Sequence, residues 1–263
     1  MSLLQALLAC DAALLALSVA AASAARRRGA GSFVYGAALA LSVAMLAAAA
    51  VALIGRAAPV GLKLPIGLPW IGANFRLDAL SAFFALVVNL GGAAASLYGI
   101  GYGRREHEPA RVLPFFPAFL AGMNLVLIAD DAYTFLVSWE FMSLASWALV
   151  MAHHREAGNQ RAGFVYIVMA TFGALSLLLA FGLLAGASGG YAFDVMRAAT
   201  PSAGVAGLAL ALALIGAGSK AGLAPLHVWL PLAHPAAPAS PLALKASARP
   251  IATKIRPMFS IVE

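Results

Sequence analysis

The chain is 263 residues long, 63% hydrophobic and only 10% charged, with a formal net charge of +7. A soluble domain is about 45–50% apolar and about 25% charged, and a soluble fold of this size has too little interior to hide the excess. With a mean hydropathy of +0.91, these values exclude a soluble enzyme, a disordered chain and a disulfide-framed secreted module. Cys10 is the single cysteine, so no intrachain disulfide, thiolate zinc site or iron–sulfur cluster can form. What remains is an all-α, polytopic transmembrane helix bundle. Seven spans of about 20 residues each fit this length.

The apolar runs place the spans. Span one covers about Leu3–Ala25 and is stopped by Arg26, Arg27 and Arg28. Positive charge follows this run and none precedes it, which points to a retained helix and away from a signal peptide. Span two covers about Ser32–Ile54. The next segment holds Pro59, Pro65, Pro69 and several glycines, and reads as a loop. Spans three, four and five cover about Leu77–Tyr102, Val112–Ala129 and Tyr133–Ala152, with Asp130-Asp131 as a minimal polar turn before the last of these. Span six covers about Ala162–Ala187. Span seven begins near Ala203 and breaks at Pro225.

Loop charge predicts the orientation. The loops after spans one, three and five carry Arg26, Arg27, Arg28, Arg104, Arg105, Arg111, Arg155 and Arg161. The loops after spans two, four and six carry Arg56, Lys63, Arg76 and Arg197, together with Asp130, Asp131 and Asp194. The more basic side is cytoplasmic by the positive-inside rule, so the N-terminus is expected outside. The basic residues form short clusters between apolar runs, with no basic face and no aromatic stacking motif, which argues against nucleic acid.

Two charges stand out inside the spans. Glu140 lies seven residues into span five, about 10 Å deep at 1.5 Å per residue. Lys220 lies near the end of span seven. Charges at such depth cost about 2.5–3.5 kcal/mol on insertion scales and usually face a bundle interior or water. Two readings fit Lys220: snorkelling to the interface, or pairing inside the bundle. A glutamate is too short to snorkel from that depth, and its bland reading is a protonated, hydrogen-bonded side chain. Asp11, midway along span one, is a weaker third candidate. Burial disfavours the charged form of an ionisable group and a nearby opposite charge favours it. A Glu–Lys pair whose separation changes is therefore a proton switch that needs no metal or organic cofactor. His227 and His234 flank the break at Pro225 and Pro231. A broken helix at membrane depth lines a cavity or is buried in protein. Histidine titrates near neutral pH and can relay protons, although a post-helix loop would also accommodate both residues.

These residues carry a resemblance. Ser138-Trp139-Glu140-Phe141-Met142-Ser143 is similar to the fifth-helix signature of antiporter-like subunits. The run from Gly218 through Lys220, Pro225, His227 and Trp229 to Pro231 is similar to their long seventh-helix motif. Asp78-Ala79-Leu80-Ser81-Ala82-Phe83-Phe84 resembles the start of their third helix. Such subunits occur in respiratory complex I, multisubunit sodium/proton antiporters and membrane-bound hydrogenases. Within the group, Ala233–Pro238 is most similar to hydrogenase-4 component B and formate hydrogenlyase subunit 3.

The resemblance implies a proton-translocating subunit of a hydrogenase- or NADH-dehydrogenase-like complex in the bacterial inner membrane. Its redox centres, and hence its cofactors, would lie in other membrane and peripheral subunits. Glu140 and Lys220 correspond to the family's input charge pair. His227 corresponds to the histidine after the helix break, and His234 to a further motif histidine. A cation/proton antiporter subunit and a non-pumping fragment are the competing readings. The expected division is an N-terminal pair of helices with its outer loop (1–75), an incomplete input half (76–238) and an aberrant basic tail (239–263). That tail departs from the family's eighth-helix pattern. Pro241, Pro250 and Pro257, with Lys245, Arg249, Lys254 and Arg256, oppose a spanning helix there. A truncated reading frame is the expectation this raises.

Overall fold

The structure is a computed structural model. It describes residues 2–237 apart from 70, 104, 105, 107, 157, 187 and 188. The tail from 239, Arg104 and Arg105 therefore lie outside the described residues.

Leu4, Leu7, Asp11, Leu14, Leu17 and Ala21 repeat every three or four residues and form the buried stripe of α1 (Leu3–Ala24). Ser2 caps this helix: its hydroxyl accepts from the Gln5 amide, and the Gln5 side chain accepts from the Ser2 amide. The helix packs on α2 (Ala30–Ile54) and α5 (Phe115–Ile128). α2 in turn packs closely on α3 (Ala79–Tyr102). The small residues Ala85, Gly92, Ser96 and Gly99 on α3 permit that approach. A Cβ at Gly99 would come within 2.5 Å of the Tyr35 ring. The outward faces are apolar, with Leu80, Phe83, Val87, Leu90 and Leu97 of α3 all exposed. Water would not tolerate such a surface, whereas lipid solvates it.

The segment between α2 and α3 is more ordered than its prolines suggest. It forms an antiparallel hairpin of β1 (Val60–Leu68) and β2 (Gly72–Leu77). Val60 pairs with Leu77, Leu62 with Phe75 and Leu64 with Ala73. The register breaks between Leu64 and Leu68, where Pro65 offers no N–H to the ladder. Ala73, Phe75 and Leu77 alternate inward and join the core of α1, α2 and α5.

Span four is two pieces, α4 (Pro109–Val112) and α5, because Pro114 interrupts the hydrogen-bond ladder between them. Then come α6 (Ala132–Val150), α7 (Asn159–Ala185), the short α8 (Phe193–Ala198) and α9 (Ala203–Ala221). α6 packs between α5 and α7, and α7 packs on α9. Among the described residues, six helical stretches are long and apolar enough to cross a membrane, with 109–128 and 203–236 each taken as one continuous run. α6 is not among the six. Its 19 residues are diluted by Ser138, Glu140, Ser143 and Ser146, of which Ser138 and Ser143 are buried against neighbouring helices.

The expected break in the last span begins three residues before Pro225. Gly222 adopts φ +73°, a left-handed conformation that glycine enters freely, and its amide bonds the Gly218 carbonyl to close α9. A 3₁₀ turn (Leu226–Trp229) and α10 (Leu230–Ala236) follow, and both pack against α7.

Candidate functional site

The site forms where α6, α7 and the end of α9 meet. Its anchor is the N-terminus of α6. Asp131 is fully buried there, and its carboxylate accepts four hydrogen bonds. Two come from Thr134, through the amide (2.7 Å) and the hydroxyl (2.6 Å). Two come from Asn74 of β2, through the amide (2.9 Å) and the side-chain amide (3.0 Å). The Asp130 amide donates to the Asn74 carbonyl, and the Ala132 amide donates to the Tyr191 carbonyl. The hairpin and the loop before α8 thus fix the start of α6, and with it the register of Glu140.

Glu140 stands one face round from the packed side of α6. It borders a 610 Å³ groove between α6 and α7, walled by Leu136, Val137, Phe141, Leu175 and Leu178. One carboxylate oxygen, Oε1, is buried without a hydrogen-bond partner. Lys220 occupies the last turn of α9, where a cation also meets the negative end of the helix dipole. Its ammonium donates to Ser143 Oγ (2.9 Å) and Tyr166 OH (2.8 Å). It also sits 5.8 Å from the Trp139 ring centroid and 5.2 Å from that of Tyr166, within cation–π range.

No ion pair within 4.0 Å joins Glu140 and Lys220 among the described residues. Ser143, one helical turn along α6 from Glu140, holds the lysine instead. His227 and His234 are exposed, and neither side chain bonds the lysine. The break itself is tied back to α9 by Trp229, whose Nε1–H donates to the Ser219 carbonyl at 2.6 Å. Trp229 also meets the Tyr166 ring edge-on, with centroids 5.2 Å apart. Asp11 is 1% exposed with both carboxylate oxygens unpartnered.

Tyr166 and Ser146 are additions that sequence reasoning did not single out. Tyr166 is one of three hydroxyl side chains in an otherwise apolar helix, with Thr171 and Ser176, a pattern with no signal of its own. Ser143 was present in the fifth-helix signature, three residues from Glu140, and that spacing was the available clue.

A bundle of long apolar helices, with a half-buried lysine held by hydroxyls and aromatic rings in the last turn of α9, has the architecture of a polytopic membrane protein. Residues 129–258 match the model of the NADH:quinone oxidoreductase/Mrp antiporter transmembrane family. Hydrogenase-4 component B of Escherichia coli (strain K12) is 41% identical over 173 residues, covering 65% of this chain and 26% of that protein. An uncharacterised protein of Mycobacterium tuberculosis (strain ATCC 25618 / H37Rv) is 39% identical over 205 residues, covering 77% of this chain and 32% of that one. The Mrp complex from Dietzia sp. DQ12-45-1b contains a chain of the same fold. Its TM-score is 0.73 at 24% identity, and the match covers 90% of this chain and 44% of that one. The chain belongs to this antiporter-like family of membrane subunits. It spans about a third or less of the length of these curated relatives.

Proposed function

We propose that the chain translocates protons as a membrane subunit of a hydrogenase- or NADH-dehydrogenase-like electron-transfer complex, with Glu140 and Lys220 as the switch. The observation that carries this reading is the lysine's setting. Its ammonium is held by two hydroxyls and two aromatic faces, and one of those hydroxyls, Ser143, lies one turn along α6 from Glu140, with no direct ion pair between the two charges among the described residues. A small movement of α6 against α9 changes the Glu140–Lys220 separation, and with it how firmly the lysine holds its proton. His227 and His234 would exchange protons with water at the helix break.

The complex supplies the electrons, because relatives include a hydrogenase component. On this reading the chain lies in the bacterial inner membrane with its N-terminus outside, an orientation that the distribution of arginines among the loops supports. Residues 76–238 form the proton-moving unit. The competing reading, a cation/proton antiporter subunit, draws on the family model that spans both classes and on the Mrp fold. Vesicles bearing the assembled complex discriminate the two. Molecular hydrogen, formate or NADH added in turn should drive proton movement under the first reading. An imposed sodium gradient alone should drive it under the second.

A further inference from the structure

Lys220 touches two hydroxyls, and they differ in what they do with their own protons. An ammonium group has donors only, so both hydroxyl oxygens accept from it. Ser143 then donates back to the Trp139 carbonyl at 2.8 Å. A backbone carbonyl has no proton to pass on, so this branch ends there. Tyr166 instead donates to Ser146 Oγ at 2.9 Å. Ser146 has no acceptor among the described residues for its own hydroxyl proton. It stands four residues from Val150, the last residue of α6, about 6 Å along the axis. Tyr166 is 3% exposed and is fixed by packing with Val150, Ala162, Ala170 and Ala233 and by the edge of Trp229.

We infer that Tyr166 and Ser146 form a two-hydroxyl relay that connects Lys220 to water at the C-terminal end of α6. The inference rests on the proposed role of Lys220. In one transfer the Lys220 N–H bond breaks as an O–H bond forms on Tyr166. The original Tyr166 proton bonds to Ser146 Oγ, and the Ser146 proton passes to a water molecule. Lys220 is left neutral, one hydronium is formed, and both hydroxyls end as they began. The reverse sequence recharges the lysine.

The test is donor-driven proton translocation in vesicles bearing the assembled complex, with complex abundance checked in each variant. Tyr166→Phe removes one oxygen and keeps the ring, and Ser146→Ala never touches the lysine. Both are expected to lower translocation by about tenfold or more. Ser143→Ala is expected to lower it less than either. A loss in Tyr166→Phe with normal translocation in Ser146→Ala would make Tyr166 a prop for the lysine and overturn the relay. Normal translocation in Tyr166→Phe, with loss in Lys220→Ala, would overturn the relay and leave the role of Lys220 standing. Normal translocation in Lys220→Ala would overturn the parent reading.

Discussion

The Lys220 ammonium rests on the Ser143 hydroxyl at 2.9 Å, one turn of α6 beyond Glu140. The two residues are 77 positions apart, so the contact joins the two motifs that mark the family. It places the lysine by means of α6, the helix that also carries the glutamate. Whatever moves α6 against α9 therefore changes the environment of both charges together.

Asp131 should govern how firmly α6 is seated. Asp131→Ala strands the Thr134 and Asn74 donors in a buried site, and unsatisfied buried groups cost about 1–3 kcal/mol each. The expected loss is about 3 kcal/mol or more, seen as a lower Tm for the detergent-solubilised protein. Asp131→Asn keeps an acceptor oxygen and should lose less. An unchanged Tm in Asp131→Ala would mean that the hairpin does not anchor the helix.

The contact between α5 and α6 is backbone-close at Gly122. A Cβ there would lie 2.8 Å from Met142 Cα and 2.9 Å from Met142 Cβ, so Gly122→Ala forces the helices apart. Overpacking of this kind costs about 1–3 kcal/mol. Because Met142 is two residues from Glu140, proton translocation should fall with stability. Gly36→Ala, where a Cβ meets nothing within 4 Å, is the control and should leave both unchanged.

Asp78 caps the N-terminus of α3, where β2 leads into the helix. Burial opposes its charge. Hydrogen bonds from the Ser81 amide and hydroxyl, helped by Arg76, outweigh burial and hold the carboxyl below its usual range. A lowered folded-state pKa adds stability above the unfolded value, and that stability is lost as pH falls through the folded value. The Tm of the native protein should therefore exceed that of Asp78→Asn at pH 7, and the gap should close as pH falls below about 4. A gap independent of pH would show that the charge contributes nothing. Asp78→Ala should lose about 1 kcal/mol of capping as well.

Trp229 pins the broken segment to α9. Trp229→Phe removes the Nε1–H bond to Ser219, a net loss of about 1 kcal/mol, and keeps an aromatic edge for Tyr166. Faster amide exchange should appear between Gly222 and Leu230 while the global Tm stays nearly fixed. Unchanged exchange there would place the tether elsewhere.

The long apolar helices were legible because burial in lipid needs only continuous apolar side chains, a property of each segment alone. The hairpin was hidden by its prolines and glycines, although the alternation of Ala73, Phe75 and Leu77 was a readable two-residue period. The role of Asp131 was not readable. Its partner Asn74 is 57 residues away, and the pair declares itself only when β2 and α6 meet. Tyr166 was invisible for the same reason, since it lies 54 residues from Lys220. Glu140 and Lys220 stood out because a charge inside an apolar run is costly wherever it is found. Their separation in the folded chain, with Ser143 and Tyr166 holding the lysine, is a tertiary fact that no local spacing encodes.

The most direct test of the account is donor-driven proton translocation by the assembled complex carrying Glu140→Gln or Lys220→Ala. Complex abundance and electron transfer are measured in the same vesicles. Each substitution should strongly reduce translocation in complexes that still assemble. Normal translocation in either variant would contradict the account and leave the pair a structural feature of the bundle.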